Sequence, residues 1–183
     1  MPKNIPKELE KEILALPQKD KDRHLLRLIS RNKLLLEQMK YDLMEDEADL
    51  YLRKEALREH ILGVMTNPFP GTAFFLKAFR KLSTGITWHR RVTKDKYGEV
   101  DMQILCLEQA FEKQIRHVDV MSRKGDVLRT YMVKKALSVL KMINALHEDY
   151  RIDFAGRMNQ ILKLLHTFET KYDAQKLSLP ESL

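Results

Sequence analysis

Apolar residues recur at three- and four-residue steps along almost the whole chain, the spacing that gathers them on one face of an α-helix. Ile5, Leu9, Ile13 and Leu16 predict a short first helix, with Pro6 tolerated in its first turn and Pro17 ending it. Asp20 is placed to cap the next. Leu25, Leu28, Asn32, Leu35, Met39 and Leu43 carry the pattern forward, and Leu50, Leu57, Ile61 and Val64 or Met65 continue it. This predicts one helix over residues 21–66 or two with a bend at 44–48. The bend is preferred, because Glu47 falls where an apolar residue is due.

Asn67-Pro68-Phe69-Pro70-Gly71 is the clearest interruption, since two prolines remove donors and restrict the residues before them. Beyond it, Phe75, Phe79, Leu82 and Ile86 follow a Thr72 cap and predict a helix running through Gly85 toward Arg91, with residues 92–98 as a loop. Val100, Ile104, Leu107, Phe111, Ile115, Val118 and Met121 predict the next, with Glu99 and Asp101 at its positive end and Arg123, Lys124 and Gly125 closing it. A rival reading pairs residues 86–93 with 99–106 as a β-hairpin, because Ile86, Trp88 and Val92 alternate. Leu128, Met132, Val139, Leu140 and Ile143 predict a helix over 127–147. After a break at 148–153, Phe154, Met158, Ile161, Leu165, Phe168 and Tyr172 predict the last.

The pattern therefore predicts an all-α protein, a multi-helix bundle of about six helices. Residues 1–66 form N-terminal helices, residues 72–174 form a C-terminal bundle packed with them as a single globular unit, and residues 175–183 form a flexible tail. The expected core includes Leu35, Met39, Leu57, Ile61, Phe75, Phe79, Leu82, Ile104, Phe111, Ile115, Met132, Ile143, Met158, Ile161 and Leu165.

Composition adds limits. The 183 residues are enough for one core without covalent staples, and the single cysteine, Cys106, excludes an intramolecular disulfide and a cysteine-based zinc site. The longest stretch free of Lys, Arg, Asp and Glu, residues 60–76, is cut by the proline pair, so no membrane span is expected. The N-terminus lacks an apolar signal core, and Pro2 stands where myristoylation needs glycine. A cytoplasmic protein is expected.

Charge changes the picture most. Residues 77–96 carry seven basic side chains, Lys77, Arg80, Lys81, Arg90, Arg91, Lys94 and Lys96, against one acid, Asp95, and so hold six of the chain's seven net positive charges. With Trp88 and His89 among them, these residues could grip phosphates while Trp88 or Tyr97 stacks on a base. The alternative is a solvated face, with Trp88 filling the core beside Phe79 and Ile86. No helix-turn-helix, zinc-finger or RNA-recognition signature accompanies the charge.

A second cluster is acidic. Asp42, Glu45, Asp46 and Asp49 step i, i+3, i+4, i+7, so one helix face could share a hard cation if Glu108 and Glu112, one turn apart, supplied further oxygens. That layout would suit a Mg²⁺-dependent nucleotide hydrolase, but no second Glu-x-x-Glu or Glu-x-x-Asp element follows downstream. A solvated acidic bend or a docking patch is the plainer reading.

Other chemistry is excluded by spacing. None of the six histidines has an acid three residues before it or a second His four residues away, so neither a ferritin-like nor a zincin site is encoded. The closest two glycines, Gly63 and Gly71, are too far apart for Walker or dinucleotide-binding loops, and no Gly-x-Ser-x-Gly occurs. No catalytic residue and no cofactor is assigned.

At Arg80-Lys81, Ile86, Lys96, Glu99-Val100, Ile104 and Cys106 the spacing resembles that of small, uncharacterised all-helical proteins of Bacteroidetes-type bacteria. The leucine-rich run at residues 25–36 is similar in style. The resemblance covers the middle third of the chain and departs at residues 67–72 and at Trp88-His89-Arg90-Arg91. It implies a helical fold and no catalytic residues.

Three functions are carried forward: a non-enzymatic interaction module with a protein partner or a second copy of itself, nucleic-acid binding through residues 77–96, and Mg²⁺-dependent nucleotide hydrolysis through residues 42–49.

Overall fold

The computed structural model describes residues 5–183, with the side chains of Arg123 and Lys124 outside the description; the reading of Pro2 falls outside it too. Among the described residues the protein is all-helical, with nine helices and no strand. The β-hairpin alternative is thereby corrected, because residues 86–93 and 99–106 both lie within helices. No helix among the described residues is long and apolar enough to cross a membrane.

The chain divides into two units, one ending at Glu45 and one running Asp46–Leu183. The first holds α1 (Lys7–Ala15), α2 (Gln18–Arg31) and α3 (Lys33–Met44). Asn32, counted in the apolar stripe, instead ends α2 and caps α3, its side chain accepting from the Leu35 amide at 3.2 Å. None of the three helices has a buried residue, so Leu35 and Met39, expected in the core, are only half-buried.

The second unit holds α4 (Glu47–Thr66), α5 (Thr72–Thr93), α6 (Lys96–Val118), α7 (Arg123–Asn144), α8 (Glu148–Thr167) and α9 (Lys171–Lys176). The chain breaks within the anticipated bend, where Asp46 accepts from the amides of Ala48 and Asp49 while Asp49 accepts from the Asp46 amide. This reciprocal cap starts a new helix at Glu47.

The prolines of residues 67–71 do not separate two halves. Ile61 and Met65 of α4 are fully buried with the second unit's core, and Phe69 packs on Phe75 at 5.3 Å. Gln114, in a non-helical kink of α6, donates to the carbonyls of Met65 at 2.6 Å and Asn67 at 3.1 Å, satisfying the end of α4.

α6 is the central helix, packed on by α4, α5, α7 and α8. Its apolar residues cover more than one face, and Val100, Met102, Ile104, Cys106, Leu107 and Ala110 are all essentially inaccessible, as a helix apolar on several sides requires. Its entry is tight. Lys94 takes a left-handed conformation, with φ of 63°, and Asp95 caps α6 by accepting from the Gly98 amide at 2.8 Å. Only these two residues connect α5 to α6, where a loop over 92–98 was expected. A side chain at Gly98 would meet the Asp95 carboxylate at 2.2 Å, so the cap requires glycine there.

Arg123, Lys124 and Gly125 open α7 rather than close α6, because Ser122 accepts from the Gly125 amide at 3.0 Å. The break before α8 falls at residues 145–147, and Glu148 and Asp149 supply the acids favoured in a first turn. The segment 175–183 is packed rather than frayed. Leu179 is buried, Leu177 packs on the core, and the Leu183 amide donates to Asn159 at 2.8 Å. α9 is held by Thr130, which donates to Asp173 at 2.5 Å.

The charged residues of α6 are met from both sides. Arg157 of α8 forks onto Glu108 through two 2.7 Å bonds and reaches Asp101 at 2.5 Å, while Arg58 of α4 meets Asp101 at 3.0 Å. Replacing Arg157 with Met should cost about 2–3 kcal/mol, because two half-buried carboxylates lose charge-assisted bonds; a lower urea midpoint with unchanged slope checks it. Gly85, exposed in the middle of α5, has nothing within 4 Å of where a Cβ would stand. Gly85→Ala should raise stability by about 0.5–1 kcal/mol in the same measurement.

Candidate anion-binding cleft

The buried stripe of α5, Phe75, Phe79, Leu82 and Ile86, faces the core. A second stripe, Arg80, Ser83, Thr84, Thr87, Trp88 and Arg91, follows the helical repeat on an adjacent face. α7 sets Tyr131 and Lys135, one turn apart, against it. Together these eight side chains line a cleft of about 490 Å³, and none of them is acidic.

The floor is polar where a bundle interior would ordinarily be apolar. Tyr131 donates its hydroxyl to Ser83 at 3.1 Å, and Ser83 donates to Oε1 of the fully buried Gln103 at 3.3 Å. Glu99, also buried, accepts from Thr87 at 3.2 Å and pairs with Arg90 at 3.3 Å. The Arg80 guanidinium lies 5.3 Å from the centre of the Tyr131 ring, which Phe79 braces edge-on at 5.4 Å. Arg80 and Lys135 have no ion-pair partner among the described residues. Burial lowers the pKa of the Lys135 ammonium, with Glu99 working against that shift. Burial also pushes the Cys106 thiol up to about 12, so it is neutral near pH 7 and adds no charge beside Lys135.

The predicted basic surface is thus divided. Arg80, Trp88 and Arg91 enter the cleft, whereas Lys77 and Lys81 are exposed outside it. Arg90 turns to Glu99. Lys94 and Lys96 line another cavity, of about 620 Å³, with Lys54, Tyr97, Tyr150 and Asp153. There Tyr97 donates to Asp153 at 3.2 Å and packs on Phe154 with 4.7 Å between ring centres. His89 is half-buried, and its Nε2 is enclosed without a hydrogen-bond partner. Ser83, Thr87, Tyr131 and Lys135 were not legible in the sequence; the available signal was Glu99 and Gln103, two polar residues one turn apart among the apolar positions Val100, Met102, Ile104 and Cys106.

The acidic layout is corrected. Asp42 belongs to α3 and Glu45 ends it, while Asp46 and Asp49 are spent on the cap of α4, so the four residues do not form one helix face. Glu108 is gripped by Arg157, and Glu112 by Lys113 and Gln109. Among the described residues no group of three or more His, Cys, Asp or Glu side chains is placed to hold a metal ion. The chain matches no known family model, and no curated protein or solved structure is similar to it.

Burial lowers the pKa of His89, with Asp95 opposing and Arg53 and Lys54 reinforcing the shift. Burial also lowers that of His117, assisted by Arg116 and opposed by the Phe69 backbone; its ring lies 5.8 Å from that of Phe75, and its Nε2 is enclosed without a partner. Both folded-state values lie below the unfolded value near 6.5, so the unfolded chain binds more protons in that interval. Their contribution is complete above about pH 6.5 and is lost as pH falls through the depressed values. The urea midpoint should therefore drop between pH 7.5 and 5.5, and His89→Gln should make the drop smaller.

Proposed function

We propose that the cleft between α5 and α7 binds a nucleotide unit, free or within a single strand. One observation carries this reading: Arg80 and Arg91 from one helix and Lys135 from another share a cleft with the rings of Trp88 and Tyr131 and with no lining carboxylate. The cations supply charge for phosphate, the rings supply faces for a base, and Ser83, Thr84 and Thr87 supply hydroxyls for sugar or phosphate oxygens. The cleft's volume lies within the roughly 300–1,000 Å³ typical of small-ligand sites. A duplex, whose bases are stacked and paired, could present phosphate to the rim but no base face to Trp88.

Nucleotide hydrolysis through residues 42–49 has no comparable support, since Asp46 and Asp49 serve the cap of α4 while Glu108 and Glu112 are held in ion pairs. An interaction role draws on other residues, those of α1–α3, and is compatible with a ligand-binding cleft.

Trp88 is the only tryptophan, so its fluorescence reports on the cleft alone. Titration with nucleoside monophosphates and with single-stranded and duplex oligonucleotides should change Trp88 emission for the first two but not the duplex. If about three phosphates are neutralised, log affinity for the single strand should fall against log salt with a slope near −2. Arg80→Gln and Lys135→Gln should each weaken binding about tenfold and flatten that slope, as loss of a charge-assisted contact implies. Unchanged emission and anisotropy with every ligand at low salt would refute the reading.

A further inference from the structure

α1, α2 and α3 leave Leu9, Ile13, Leu25, Leu26 and Leu28 exposed and have no fully buried residue. A segment of about 40 residues cannot offset its ordering entropy without buried apolar area, so such helices call for a partner. Where α1 meets α2 they form a groove of about 400 Å³. Its floor is Ile13, Leu16, Leu25 and Leu28, and its polar lining is Lys21, His24 and Arg27. An occupant must therefore be apolar with acidic flanks.

α4 carries a face of that description. It turns Ile61 and Met65 inward, and the opposite side steps Ala48, Leu52, Glu55, Glu59, Leu62 at i, i+4, i+7, i+11, i+14, one continuous stripe. Leu52 is 62% exposed and Leu62 37%, with Tyr51 alongside at 63%. Glu55 meets Arg58 at 3.5 Å, whereas Glu59 has no cation partner among the described residues. Leucines with glutamates one turn apart on α4 complement leucines with Lys21 and Arg27 on α2.

We propose that the protein self-associates, the outer stripe of α4 in one copy seating in the α1–α2 groove of a second. Each copy carries both halves, and the proposed dimer makes the contact twice about a two-fold axis. The apolar contact supplies affinity, and the charges fix which faces meet.

Sedimentation velocity of the full chain over a concentration series tests this. The wild-type chain should dimerise, and Leu28→Ser or Leu52→Ser should raise the dimer Kd at least tenfold. A Lys21→Glu/Arg27→Glu chain and a Glu55→Lys/Glu59→Lys chain should each be impaired by like-charge contacts. Mixed one to one, they should form a heterodimer of wild-type affinity, because both contacts are then complementary again. Recovery on mixing cannot arise from misfolded variants. A wild-type chain that stays monomeric at all concentrations, or a dimer indifferent to both charge reversals with no preference for the mixed pair, would overturn the proposal.

Discussion

Burying α6 on several sides is the constraint on which the second unit depends. A helix surrounded by α4, α5, α7 and α8 has little solvent to offer the polar side chains it buries, so those draw partners from neighbours. Arg157 and Arg58 meet Asp101, Arg157 meets Glu108, Arg90 and Thr87 meet Glu99, and Ser83 meets Gln103. Gln114 leaves the helical conformation to reach the end of α4. These bonds add less net stability than the apolar contacts around them. Losing one partner leaves a desolvated group, which is why they fix how the helices meet.

The same constraint shapes the cleft. Glu99 and Gln103 sit on α6 where Val or Leu would pack without cost, and they draw Ser83, Thr87 and Arg90 toward them. The outer layer of the cleft is different in kind. Arg80 and Lys135 share one concavity with no ion-pair partner among the described residues, and Lys135 gains only indirect relief from Glu99. Like charges held in a partly desolvated site repel one another, and an anion among them removes that repulsion. Binding would therefore draw on an electrostatic cost already present in the fold.

The two units meet the need for apolar burial differently. The second closes its core internally, extending as far as Leu179 near the end of the chain. The first leaves its leucines outward on amphipathic helices, and its apolar groove is framed by cations. A segment with so little internal burial opens at low free energy unless something covers it.

Helix content was legible in the sequence because the 3.6-residue repeat is a local property of the chain. Phe75, Phe79, Leu82 and Ile86, or Met158, Ile161 and Leu165, announce a buried face without reference to any neighbour. The breaks were less legible. Glu47, out of step with the apolar repeat, marked the bend before α4, whereas Asn32 sits in step with the pattern, and only its cap geometry shows that the chain stops and restarts there. The cationic character of α5 was also local, and Arg80, Trp88 and Arg91 could be named from it. That Tyr131 and Lys135 stand opposite them, that Arg90 is spent on Glu99, and that the carboxylates of residues 42–49 divide between two helices were decided by tertiary structure. The physical reason is that periodicity specifies which face of a helix is buried but not which neighbour covers it. A binding site is made by what two faces bring together.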